Sequence, residues 1–150
     1  MKKIINRAFV ALAAVVLLMG CQSEGQKALS QIVGEWHYSG VEEGVQEDIW
    51  IAFSQDMTFE LYQKMGDGLL RYRYTGTYEF DGTVLTGVYA DYTPWADEYT
   101  VTSSANSLTL TSVSNPQYSM KYEREQIPEE VKTHYVPMTK GQSDGPAPVL

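Results

Sequence analysis

The sequence has one cysteine and two histidines among its 150 residues, and these shortages exclude several kinds of functional site. Cys21 cannot form an internal disulfide, so the fold must be stable without one. His37 and His134 lie far apart in the sequence, and no spacing typical of a zinc site is present. The sequence also lacks a glycine-rich phosphate loop, a nucleophile elbow and the serine, histidine and aspartate order of a hydrolase. We therefore predict a protein that is not an enzyme and that has no metal and no cofactor.

Basic residues are scarce as well. The chain carries 11 lysines and arginines against 19 acidic residues, a net charge of −8. Lys2, Lys3 and Arg7 precede Cys21, so a chain that begins at Cys21 keeps 8 of the 11 basic residues and has a net charge of −11. Such a surface repels phosphate backbones, and we therefore expect no nucleic acid partner. The sequence indicates no particular protein partner.

Apolar runs long enough to span a bilayer are absent. A basic start (residues 1–7) leads into the apolar run Phe9–Met19, which is shorter than the roughly 20 residues that a membrane-spanning helix needs. A charged start, a short apolar stretch and a small residue at the end are typical of a secretory signal peptide. The sequence therefore predicts a signal peptide over residues 1–20.

The end of this segment, "LLMGCQ" (17–22), resembles the bacterial lipobox, in which cleavage precedes a cysteine that then receives fatty acyl groups such as palmitate. The resemblance implies a lipoprotein of the cell envelope that is anchored by lipid at Cys21, and Gln22 fits sorting to the outer membrane. Residues 21–30 are then a polar tether, and the membrane is a partner through the lipid. The alternative is a plain signal peptide followed by an ordinary thiol.

Tyrosine, threonine and valine are abundant in the rest of the chain, a composition that favours strands. From Val33 onwards, short segments alternate apolar and polar residues, and turn residues separate them. The clearest alternation is "LLRYRYTGTYEF" (69–80), where Tyr72, Tyr74 and Tyr78 share one face. The short connections leave no room for crossover helices, so neighbouring strands should be antiparallel.

Eight such strands over residues 31–126 predict an all-β fold, an eight-stranded antiparallel up-and-down barrel, because closure removes exposed strand edges. An open two-sheet sandwich is the alternative. A short C-terminal helix is expected within residues 127–137, where acidic residues come first and Lys132 and His134 follow, as suits a helix dipole. Residues 138–150 are polar and rich in glycine and proline, and we expect a disordered tail there.

Several different short motifs follow one another in a characteristic order along residues 30–126. They are Gly34-Glu35-Trp36, Gly76-Thr77-Tyr78, Gly87-Val88-Tyr89, Tyr99-Thr100-Val101, Leu108-Thr109-Leu110-Thr111 and Tyr122-Glu123-Arg124. Together they resemble the lipocalin family, and more closely the short lipocalin-like domains of exported bacterial lipoproteins. The resemblance implies that Arg124, on the last strand, covers Trp36 at the closed end of the barrel. Gly34, Trp36 and Arg124 would then have a structural role there.

An inward face rich in aromatic residues supports two interpretations. The rings can simply fill the core, with hydroxyl groups that reach the rim or each other. They can instead line a site for a small hydrophobic or amphipathic ligand, to which the loop "ADYTPWADEY" (90–99) contributes. The candidate ligand residues are Tyr72, Tyr74, Tyr78, Tyr89, Tyr92, Trp95, Tyr99 and Tyr122. The corresponding functions are ligand binding in the barrel, or a non-catalytic interaction module of the envelope that has a filled barrel and acts through its surface or loops.

Overall fold

The computed structural model of the protein describes residues 24–141 and 145–150, so the predicted signal peptide and Cys21 lie outside the described residues. The helices are α1 (Glu24–Ile32) and α2 (Glu129–Thr133). The strands are β1 (Gly34–Glu42), β2 (Val45–Phe53), β3 (Thr58–Met65), β4 (Tyr72–Phe80), β5 (Val84–Tyr89), β6 (Tyr99–Ser103), β7 (Ser107–Ser112), β8 (Ser119–Arg124) and β9 (Val136–Pro137).

Strands β1 to β8 form a closed antiparallel barrel, which confirms the predicted up-and-down fold and excludes the open sandwich. Each strand pairs with the next along the chain, and β1 pairs with β8 to complete the ring. The pairing of β1 with β8 is short and places Trp36 opposite Arg124. The short β9 lies outside this order, because it adds to β4 in a parallel register.

Two inward-facing glycines make room for aromatic rings inside the barrel. A Cβ atom at Gly87 would overlap the indole of Trp95. One at Gly76 would overlap the backbone oxygen of Val88 and would lie 2.8 Å from the ring of Phe59. The rings of Phe59 and Trp95 meet edge to face, with centroids 5.2 Å apart. The glycines of the Gly76 and Gly87 motifs are therefore part of the packing. A larger residue at Gly87 would displace the Trp95 ring, and one at Gly76 would also collide with the backbone of β5.

Helix α1 covers the closed end of the barrel, where the sequence predicted a polar tether over residues 21–30. Ile32 is fully buried and Leu29 packs against the core. The indole N–H of Trp36 donates to the backbone oxygen of Ile32 at 2.7 Å, which joins the helix to β1. The tether prediction is therefore wrong for residues 24–30, because α1 has an apolar side that the barrel end buries.

Among the described residues, none of the helices is long and apolar enough to cross a membrane.

Arg124 and Gly34 complete the closed end. The guanidinium carbon of Arg124 lies 4.0 Å from the centroid of the Trp36 ring, in the contact that the resemblance implies. The same side chain donates to the backbone oxygens of Ala105 at 2.7 Å and Val33 at 3.3 Å. Gly34 has a φ of 141°, and a Cβ there would overlap the Arg124 guanidinium. Glycine is therefore required at this position both for its backbone conformation and for space.

The segment after β8 packs on the outer face of the barrel. The short helix expected within residues 127–137 is present at Glu129–Thr133, and it is followed by the short strand Val136–Pro137. Val131 and Ile127 bury Trp50 and Tyr62, which point outwards from β2 and β3. This contact explains why β2 and β3 carry large aromatic residues on both faces.

We predict that Arg124→Ala lowers the free energy of unfolding by about 1 kcal/mol, because it removes a cation–π contact together with two hydrogen bonds to the backbone. Urea denaturation measures this change. Lys121→Ala, on the same strand, is the matched control, since Lys121 forms an exposed ion pair with Glu123 and exposed pairs contribute little. Equal losses in the two variants would contradict the structural role of Arg124.

Candidate functional site

The mouth of the barrel lies opposite α1 and is formed by four connections. They are residues 43–44, 66–71, 90–98 and 113–118. Strand β9 lies at this end, beside the first residues of β4. Because α1, Trp36 and Arg124 fill the other end, the mouth is the side from which a ligand can approach the interior.

Most of the predicted ligand residues share one interior cluster. The fully or almost fully buried ones are Tyr74, Tyr78, Tyr89, Trp95, Tyr99 and Tyr122. Tyr72 is partly buried and packs against the same cluster. The rings contact one another edge to face, as in the pair Tyr74 and Tyr89, whose centroids are 6.0 Å apart. Strand alternation therefore identified the inward face of the barrel correctly.

Tyr92 does not belong to this interior set. Its side chain is 91% exposed, and its backbone has a φ of 65° in the loop between β5 and β6. Tyr92 lies in the loop at the mouth, which turns its side chain outwards, so it does not belong to the inward aromatic face. Trp95, three residues later in the same loop, instead turns inwards over Gly87 and is 5% exposed.

Residues 145–150, which we call the inner segment, run into the mouth. Disorder was expected for residues 138–150, but Leu150 is fully buried in the core cluster and Val149 packs against that cluster. The connection between β9 and the mouth is also held, because Lys140 Nζ donates to the backbone oxygen of Pro94 at 2.6 Å. The expectation of a disordered tail therefore does not describe the inner segment.

Side chains of the barrel bind the backbone of the inner segment. The Tyr74 hydroxyl group donates to the backbone oxygen of Pro146 at 2.5 Å. The Tyr89 hydroxyl group donates to that of Leu150 at 2.6 Å, and the Tyr99 hydroxyl group donates to that of Val149 at 3.3 Å. The interior therefore offers several hydroxyl donors near its mouth, and in this structure carbonyl groups of the chain itself accept them.

Gln63 also belongs to the site, although it is not among the residues predicted from the sequence. It is fully buried, donates from Nε2 to the backbone oxygen of Ala147 at 3.1 Å and accepts from the N–H of Val149 at 3.2 Å. The signal was present, because Gln63 continues the inward face of Phe59 and Leu61 on β3. A polar residue at an inward position of a barrel strand needs a hydrogen-bond partner inside.

Burial changes the titration of the interior tyrosines. It raises the pKa of Tyr78 to about 12 and that of Tyr99 to about 12, because the charged phenolate is poorly solvated there. Burial also raises the pKa of Tyr89 and of Tyr122 well above the usual value of 10. These hydroxyl groups therefore remain protonated donors across the physiological range.

The acidic loop at the mouth holds itself in place with its carboxylates. Asp97 accepts hydrogen bonds from the hydroxyl groups of Ser112 and Ser114, which lower its pKa to about 2. Asp91 accepts from Thr93 and from the N–H of Gly141 at 3.0 Å. Within residues 24–141 and 145–150, no group of three or more histidine, cysteine or acidic side chains is arranged to hold a metal ion.

Four surface pockets of the described part of the chain have volumes between about 340 and 560 Å³. One of about 390 Å³ lies beside α1 and is lined by Leu29, Val33 and Gln55 among others. None of the four is lined by the interior tyrosines. The barrel interior is instead filled by aromatic side chains together with the inner segment.

A closed antiparallel barrel that has one covered end, and an interior reached from the other, is an architecture that holds small ligands. The family model for the lipocalin-like domain matches residues 32–110, more than half of the chain. The chain therefore belongs to the lipocalin-like domain family, whose barrel is a domain of the ligand-binding type. No curated protein matches the sequence. The matched region ends within β7, so β8 and the inner segment lie beyond it.

We predict that the protein loses stability as the pH rises from about 10 towards 12. The pKa values of Tyr78 and Tyr99 are about 12 in the fold and about 10 in an unfolded chain. Their contribution is therefore complete below pH 10 and declines as the unfolded chain gives up protons that the fold retains. Denaturation at a series of pH values measures this, and tyrosinate absorbance counts the late-titrating residues. Ionisation of every tyrosine near pH 10 in the folded protein would contradict it.

Proposed function

We propose that the protein is an exported, lipid-anchored, non-catalytic binding protein that holds a small hydrophobic or amphipathic ligand in the barrel interior. The observation that carries this proposal is that the inner segment occupies the mouth of the barrel. An apolar segment already lies there, with Leu150 fully buried and its backbone oxygen bonded to Tyr89. An interior that accommodates an aliphatic side chain and a carbonyl group has the chemistry needed for an amphipathic ligand.

Membership of the lipocalin-like family supports the same proposal. The family's barrel is of the ligand-binding type, and the interior combines apolar rings with hydroxyl donors at the mouth. Specificity would come from the few polar groups, Tyr74, Tyr89, Tyr99 and Gln63, because apolar surface alone discriminates weakly.

The proposed anchor rests on sequence. The apolar run before the only cysteine, and the resemblance of "LLMGCQ" to the lipobox, support lipidation of Cys21. Two or three acyl chains would hold the protein firmly at a membrane, since each buried CH₂ contributes about 0.8 kcal/mol. We propose the bacterial cell envelope, and the outer membrane in particular, as the location.

A second function is supported by the occupancy of the interior. If the inner segment remains bound, the barrel is a filled module that acts through its surface. Apolar side chains are exposed at the mouth, where Leu69 is 90% and Leu70 58% exposed. A protein partner in the envelope would then contact these loops.

A brominated fatty acid distinguishes the two functions, because bromine quenches tryptophan fluorescence at short range. We expect the fatty acid to quench tryptophan fluorescence in the wild type and in Trp50→Phe, and to lose most of this effect in Trp95→Phe. Trp95 lies in the interior cluster, whereas Trp50 is buried on the outer face beneath Ile127 and Val131. Native mass spectrometry of protein purified from its host tests for a retained natural ligand.

Absence of quenching in the wild type, together with the absence of any retained small molecule, would favour the filled module. Equal loss of quenching in the two variants would place the fatty acid outside the barrel.

Cys21→Ser tests the anchor. We expect the variant to leave the membrane fraction, because no acyl chain can attach to serine in the same reaction. Cell fractionation followed by immunoblotting measures this. Cys21→Ala should behave in the same way, and Gln22→Ala, which keeps the cysteine, should stay with membranes. An unchanged distribution of Cys21→Ser would refute lipid anchoring.

A further inference from the structure

The inner segment is bound like a ligand, since the groups that hold it come from the barrel wall. Five hydrogen bonds join it to the side chains of Tyr74, Tyr89, Tyr99 and Gln63. All five use backbone atoms of the segment. Its side chains contribute only apolar contacts, and the deepest of them is Leu150.

These contacts define the chemistry that the interior accepts. Four of the five hydrogen bonds are donated by the barrel to backbone oxygens, and only Gln63 Oε1 accepts, from the N–H of Val149. The segment reads "GPAPVL", with two prolines that have no N–H to satisfy. The interior is therefore matched to an extended apolar chain that bears several carbonyl acceptors and few donors.

The residues that precede the inner segment are held at the mouth by their own contacts. Strand β9 pairs with β4, and the N–H of Met138 donates to the backbone oxygen of Arg73 at 2.8 Å. The N–H of Gly141 donates to Asp91 at 3.0 Å. A segment tethered this close has a high effective concentration at its site, so it competes strongly with any free ligand.

The segment is nonetheless held by a limited set of interactions. Of its residues only Leu150 is fully buried, while Ala147 is exposed and the others are partly exposed. One buried leucine and a few hydrogen bonds oppose the entropy lost in ordering six residues, and these opposing contributions are of similar size. Such a segment can be displaced without unfolding the barrel.

We propose that the inner segment is an internal competitor that occupies the binding site, and that ligands enter only by displacing it. The site takes extended apolar chains with carbonyl acceptors, and the chain's own residues 145–150 are one example. This inference deepens the proposed function and rests on it for the small ligand, but the peptide-binding property of the interior can be measured by itself.

The test compares Leu150→Asp with Leu69→Asp in the full-length protein. Both replace leucine by aspartate, but Leu150 is fully buried and Leu69 is 90% exposed. Burying an unpaired carboxylate is strongly unfavourable, so Leu150→Asp should expel the segment. A fluorescein-labelled peptide, Gly-Pro-Ala-Pro-Val-Leu, is then titrated and its anisotropy is followed. We expect Leu150→Asp to bind the peptide at least about tenfold more tightly than the wild type or Leu69→Asp does, because the competing segment is removed.

Equal affinity in all three proteins, or no binding to a folded Leu150→Asp, would overturn the inference. Binding of the brominated fatty acid that is equal in Leu150→Asp and the wild type would also overturn it, while leaving the proposed function intact. Peptide binding to Leu150→Asp, with no fatty acid binding to either protein, would support the peptide site and refute the proposed small ligand.

A second measurement covers the case in which Leu150→Asp does not fold. The amide of Val149 is bonded to Gln63 Oε1, so its hydrogen exchange in the wild type reports directly on occupancy. We expect this amide to be protected, and a saturating brominated fatty acid to accelerate its exchange while the barrel strands remain protected. Exchange at the rate of an unstructured chain in the free protein would refute the bound segment. Unchanged protection with the fatty acid bound would refute the competition.

Discussion

The contact between the first and last strands is the interaction on which the rest of the structure depends. The pairing of β1 with β8 is short, and Arg124 reinforces it by covering Trp36. The Arg124 guanidinium also donates hydrogen bonds to the backbone oxygens of Ala105 and Val33. Without this closure the sheet would have two open edges, and its inward aromatic face would be exposed to water. Closure also distinguishes the two ends of the barrel, because α1, Trp36 and Arg124 fill one end and leave the other as the only mouth in the described chain.

Much of the fold could be predicted because strand alternation is a local signal. Tyr74 and Tyr78 alternate with outward residues on β4, and their burial follows from that pattern alone. The closed end was predicted by resemblance, and its physical reason is visible at Gly34, where both the φ angle and the nearby guanidinium exclude a side chain. Tyr92 shows where the signal ends, since a loop has no period that determines which way a residue points.

The inner segment could not be predicted from its own sequence. It has no periodicity, and its proline and glycine content is typical of disordered chains. Its position depends on hydrogen bonds from residues more than 45 positions away, which no local pattern encodes. Gln63 was the one available indication, because a buried amide on an inward face requires partners that the strands themselves do not supply. Helix α1 was missed for a similar reason, since its polar composition hides the few apolar residues that pack on the barrel end.

The two ends of the barrel have different chemistry, and this limits how a lipid-anchored protein could exchange its ligand. Helix α1 lies against the closed end and begins at Glu24, three residues after Cys21. If Cys21 carries lipid as proposed, this short link keeps the closed end near the membrane, and the mouth lies on the far side of the barrel. A ligand would then be exchanged with molecules away from the anchoring membrane. Because the inner segment occupies the mouth from the same side, its displacement and the arrival of a ligand would be a single event at a single opening.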